Sequence, residues 1–187
     1  MSEQSFKVRV VGIKPLLTHN PISMTGANLP PGKKPPIPPP EEEADAGAYH
    51  LKNGGYGIPG VAFRSAIVTA STAFKPGRGR GTLKGAIAHI QVEPEIVPLE
   101  TPDGDLIKTY TVDTRRAVIQ KAGILRSRPR FDEWTAIIKI IYDPELIGEE
   151  QIIAVLADAG NRIGVGDYRP DPSKGKTGGW FGRFRVE

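Results

Sequence analysis

Cysteine is absent from the 187 residues, which removes disulfides, thiolate nucleophiles and cysteine metal sites together. No apolar run approaches the length of a membrane span, and no basic start with an apolar core marks a signal peptide. The expectation is a soluble, cytoplasmic protein with no membrane partner. Common catalytic motifs are missing too: there is no His-Glu-x-x-His, Walker loop, dinucleotide fingerprint or serine elbow. The loop Gly77-Arg78-Gly79-Arg80-Gly81 lacks the spacing and the lysine of a phosphate-binding NTPase loop. No cofactor and no metal site is expected, and no internal repeat of fixed period appears.

What is present is basic charge, unevenly spread. Lys and Arg total 25 against 21 Asp and Glu, with a pI near 9.3. Within 108–130, Lys108, Arg115, Arg116, Lys121, Arg126, Arg128 and Arg130 face only Asp113. Such lopsidedness concentrates positive potential where phosphates would meet it. Residues 160–187 are glycine-rich and carry Arg162, Arg169, Lys174, Lys176, Arg183 and Arg185. Glycines let a backbone approach a ligand, and exposed N–H groups beside cations suit an anion.

Periodicity supplies the elements. Residues 6–13 alternate as a strand, and Leu16-Leu17 reads as a turn leading off the sheet. Residues 24–40 are proline-rich and cannot donate a full set of backbone hydrogen bonds, so 24–47 reads as a flexible arm, with a short helix starting at Pro40-Glu41-Glu42-Glu43. Phe63, Ala66, Ile67, Ala70 and Phe74 share one helical face. Residues 86–99 and 107–112 have strand character, and 133–143, apolar on both sides, is the central strand. Residues 149–162 form a second amphipathic helix, and 181–186 a last strand.

Strand, helix, strand, strand, helix, strand is the split βαβ order. The expected fold is therefore α+β: one ferredoxin-like, RRM-like domain over 1–187, an antiparallel sheet with both helices on one face, and a basic thumb-like excursion at 101–131. The open face would receive Lys7, Arg9, His89, Gln91, Phe181, Arg183 and Arg185.

Pro15-Leu16-Leu17 after the first strand, the helix start Ile58-Pro59-Gly60-Val61-Ala62-Phe63-Arg64-Ser65-Ala66, and Gly164-Val165-Gly166-Asp167-Tyr168-Arg169 running into Gly182-Arg183-Phe184 resemble the RAMP superfamily. These are the repeat-associated proteins of CRISPR effector complexes, particularly their backbone subunits. The resemblance implies an RNA-recognition-like core, head-to-tail assembly along a single strand, and a thumb between the middle strands, where 101–131 lies. The compact length and the proline-rich arm depart from the family pattern and leave open a stand-alone relative from a phage or mobile element.

The leading expectation is a protein that binds single-stranded RNA or DNA and oligomerises on it. Phosphate contacts are assigned to Arg64, Arg78, Arg80, Arg115, Arg116, Arg126, Arg128, Arg130, Arg162, Arg169, Lys174 and Lys176, and base stacking to Tyr110, Tyr168 and Trp180. An endoribonuclease using His19, His50 or His89 is a second reading. A structural assembly protein without a nucleic-acid ligand is a third.

Overall fold

A computed structural model describes residues 3–21, 38–76, 81–119, 122–170 and 179–187. It is an α+β arrangement of three antiparallel sheets and four α-helices. The largest sheet contains β1 (Gln4–Gly12), β5 (Gln91–Glu93), β9 (Thr135–Tyr142) and β10 (Phe184–Val186), in the order β10-β1-β9-β5. Every neighbouring pair is antiparallel, with Val8 opposite Ile138 and Val10 opposite Val186.

Alternation in β1 and β9 sends Val8, Val10, Ala136, Ile138 and Ile140 to one face, where they are buried. Two helices cover that face. Helix α2 (Gly60–Ala70) contributes Phe63, Ala66, Ile67 and Ala70, and α4 (Glu149–Asp158) contributes Ile152, Val155 and Leu156 to the same core. Gly60 is required at the start of α2, because a Cβ there would stand 2.6 Å from the Pro94 carbonyl oxygen. A π-helical turn, Ala159–Ile163, ends α4. β9 is central, between β1 and β5, yet its second face stays open, leaving Ile137 44% exposed.

The second sheet is a hairpin of β7 (Thr111–Ile119) and β8 (Ala122–Phe131), joined at its base by β2 (Leu16–Leu17). Leu16 and Leu17 therefore do not form a turn off the sheet. They pair with Phe131 and Arg130 and are fully buried. Helix α1 (Pro40–Ala46) packs on β8 and accounts for the end of the span 24–47; residues 22–37 lie outside the described ones. The third sheet joins β3 (Tyr49–His50), β4 (Tyr56–Pro59) and β6 (Ile96–Pro98).

The expected strand over 86–99 divides. Leu83, Ile87 and Ile90, spaced as i, i+4 and i+7, bury one side of a short helix, α3 (Lys84–Ile87), and override the period-two reading of Ala88, Ile90 and Val92. Only β5 joins the main sheet; after Pro94 the chain crosses to β6 in the third. The expected strand over 107–112 begins only at Thr111.

Candidate nucleic-acid interface

Three backbone stretches meet beside the hairpin. Gly182 N–H donates to the Pro15 carbonyl at 2.8 Å, Val165 N–H to Gly182 at 2.9 Å, and Asp167 N–H to Leu17 at 2.8 Å. A side chain at Gly182 would put its Cβ 1.7 Å from the Val165 carbonyl oxygen, and its φ of 66° is left-handed. This crossing carries Tyr168, Trp180 and Phe181 up to the hairpin. Tyr168 has φ of 52°, and its hydroxyl donates to the Arg116 carbonyl at 3.1 Å.

Rings and guanidinium groups then interleave. Arg115 lies 4.4 Å from the centroid of Phe181, and Trp180 stacks on Phe181 with centroids 5.8 Å apart and planes 17° apart. Phe181 is buried, whereas Trp180 is 59% exposed. Arg128 lies 4.8 Å from the Tyr168 centroid and binds Asp167 through Nε. Its buried Nη1 has no hydrogen-bond partner among the described residues.

Among the described residues, five of the eight expected phosphate-binding arginines are held by carboxylates of the same chain. Arg115 bonds both oxygens of Asp113, and Arg130 reaches Asp113 at 3.4 Å and Asp132 at 2.6 Å. The guanidinium of Arg115, then that of Arg130, holds the Asp113 carboxyl below its usual range against the opposing effect of burial. Arg126 pairs with Glu43 at 2.8 Å, and Arg162 with Asp158 one helical turn away. Arg64 donates to the Ile90 and Ala88 carbonyls, satisfying the end of α3. Arg169 donates to Gly166 at 2.8 Å. Arg116 is exposed and makes no ion pair among the described residues. Arg78, Arg80, Lys174 and Lys176 lie outside the described residues.

Tyr110 belongs to a different ring cluster. It packs against Tyr56 and Phe131, and its hydroxyl donates to Asp45. Burial first, and Asp45 second, push that hydroxyl up to about 12. His19 is lowered by burial, then by Arg128, so it is neutral near pH 7. His50 contacts Asp45 and Tyr56, and His89 is exposed in the turn after α3. No hydrogen bond or ring contact joins any two of these histidines, and no three acidic or histidine side chains cluster as a metal site, among the described residues.

The open sheet face also differs from expectation. Phe181 turns toward the hairpin because Gly182 bends the chain ahead of β10, Arg183 bonds Asn161, and His89 is off the sheet. Of the remaining charges, Lys139 pairs with Glu93 at 3.1 Å, Arg9 with Glu187 at 3.9 Å and Arg185 with Glu187 at 2.6 Å, while Lys7 is exposed with no ion pair among the described residues. Sequence reasoning missed Asp113, Glu43 and Asp167 as the groups that orient the arginines. It placed Phe181 on the wrong surface, although its position beside Trp180 was the available clue. No helix among the described residues is long and apolar enough to cross a membrane. Neither a family model nor a curated protein matches this sequence.

Proposed function

We propose that the chain binds single-stranded nucleic acid on the face formed by the hairpin and the 164–168 and 179–182 segments, and assembles head-to-tail along it. The observation that carries the reading is Trp180, 59% exposed and stacked on the buried Phe181, whose ring also meets Arg115. An exposed indole backed by a buried ring is a rigid platform for an unpaired base, and every base has a face to offer it. A base inside a duplex is already stacked, so the platform favours single strands. Arg116, next in the same strand, adds exposed positive charge with no ion pair among the described residues, while Arg115 and Arg128 are fixed by Asp113 and Asp167. The strand order β10-β1-β9-β5, with α2 and α4 on one face, supports reading the core as split βαβ and RAMP-like.

Intrinsic fluorescence tests the proposal, because the chain has two tryptophans and Trp134 is only 1% exposed. Single-stranded oligonucleotide should quench the emission of Trp180 at low salt, and duplex should quench it far less. Trp180→Ala should cost about 1–3 kcal/mol of affinity, or roughly 5- to 150-fold, in a labelled-oligonucleotide titration. Arg116→Ala should lower the dependence of log affinity on log salt by about 0.7. Equal quenching by duplex, or binding indifferent to salt, refutes the reading.

A further inference from the structure

A groove of ≈ 680 Å³ lies on another flank, between the start of α2 and the β5–β6 crossing. Tyr49, Pro59, Val61 and Ile96 give it an apolar lining, and the carboxylates Glu93 and Glu95 line it too. Val61 is 61% exposed, an unusual placement for valine in the first turn of a core helix. Glu95 has no ion-pair partner among the described residues, and Glu93 has only Lys139. Arg64 also lines the groove, but its guanidinium is committed to the Ala88 and Ile90 carbonyls. An aromatic and aliphatic trough with spare negative charge fits an extended strand rich in proline and bearing cations.

The chain carries a sequence of that composition itself: Pro30-Pro31-Gly32-Lys33-Lys34-Pro35-Pro36-Ile37-Pro38. The described end of that run, Pro38, Pro39 and Pro40, is exposed to solvent on its own copy. Proline lowers the entropy lost when an extended strand docks, because φ is already fixed. Head-to-tail assembly needs a donor and an acceptor that are different surfaces, unlike a two-fold dimer. We propose that residues 30–38 of a second copy dock in this groove, with Lys33 and Lys34 meeting Glu93 and Glu95. The inference deepens the assembly part of the proposed function and rests on it, but needs no nucleic acid to be tested.

The test uses the full-length protein, without nucleic acid, and a fluorescent peptide of residues 29–40. Anisotropy should rise to saturation with the parent protein. It should weaken roughly tenfold or more with Val61→Asp, with Glu95→Lys, and with a peptide whose lysines are replaced by glutamate. Both protein substitutions are at exposed positions, and circular dichroism confirms that the variants fold. Sedimentation of the parent should show concentration-dependent association that disappears when residues 24–36 are deleted. No saturable binding to the parent or to the deletion variant overturns the proposal. Binding to the deletion variant alone, with a parent that sediments as a monomer, means the groove takes its own copy's strand, which also overturns it. Binding that ignores Val61→Asp and Glu95→Lys lies elsewhere and has the same consequence. A negative oligonucleotide titration leaves these peptide results unaffected, so the two readings fail separately.

Discussion

Replacing Glu43 by alanine should weaken the attachment of the hairpin to the body of the protein. Glu43 is 7% exposed, and its carboxylate accepts from Arg126 Nη1 at 2.8 Å and from the Ser127 backbone N–H at 2.9 Å. Ser127 is itself buried, so truncation strands an N–H that water cannot reach, at about 1–3 kcal/mol. Arg126 keeps 29% of its side-chain surface exposed and can turn toward solvent, so its loss falls below the ~3–5 kcal/mol of a fully buried broken pair. Together these give about 2–4 kcal/mol. Glu43→Gln retains an acceptor for Ser127 and should recover about half of that loss. Glu41 and Glu42 are exposed, and alanine at either should change stability by less than about 0.5 kcal/mol. Urea unfolding measures the series, with a shift in midpoint at constant slope as the readout. A Glu43→Ala variant within about 0.5 kcal/mol of the parent, or a glutamine variant no better than alanine, refutes the reasoning.

Acid should act partly through Asp113. Its folded value is depressed, so the stability it contributes is complete above about pH 4 and is lost as pH falls through that lowered value. The urea midpoint of the parent should therefore drop more steeply below about pH 4 than that of Asp113→Asn, and parallel profiles would contradict this. At the crossing beside the hairpin, Gly182→Ala meets the Val165 carbonyl oxygen at 1.7 Å and should cost more than about 3 kcal/mol in thermal unfolding. Gly54→Ala, with φ of 80° but open space around it, should cost only about 1–2 kcal/mol, and equal losses would rule out the clash.

Much of the core was legible because one period dominated each stretch. Val8, Val10, Ala136, Ile138 and Ile140 alternate, and Phe63, Ala66 and Ile67 repeat at helical spacing, so local pattern and burial coincide. Residues 83–92 carried two competing periods, and the one that buries Leu83, Ile87 and Ile90 prevailed. The two leucines at 16 and 17 are a strand only because Phe131 and Arg130 lie opposite them, which local sequence does not encode. The candidate interface was half visible for the same reason. Arg115, Arg126 and Arg128 stand out by the density of cations in the chain, but their orientation depends on pairing across a turn or a long loop. Arg128 meets Asp167 39 residues away, and Arg126 meets Glu43 83 residues away.

The shared carboxylate of Asp113 has a consequence for how long any ligand stays. Arg115 and Arg130 are already oriented by it, so an arriving phosphate forfeits little of the roughly 2 kcal/mol of rotamer freedom that a loose arginine would surrender. It must, however, displace or share an anion already in place, which shallows the well it falls into. A surface made this way exchanges its occupant readily, so a grip that lasts has to come from many weak footholds along one polymer.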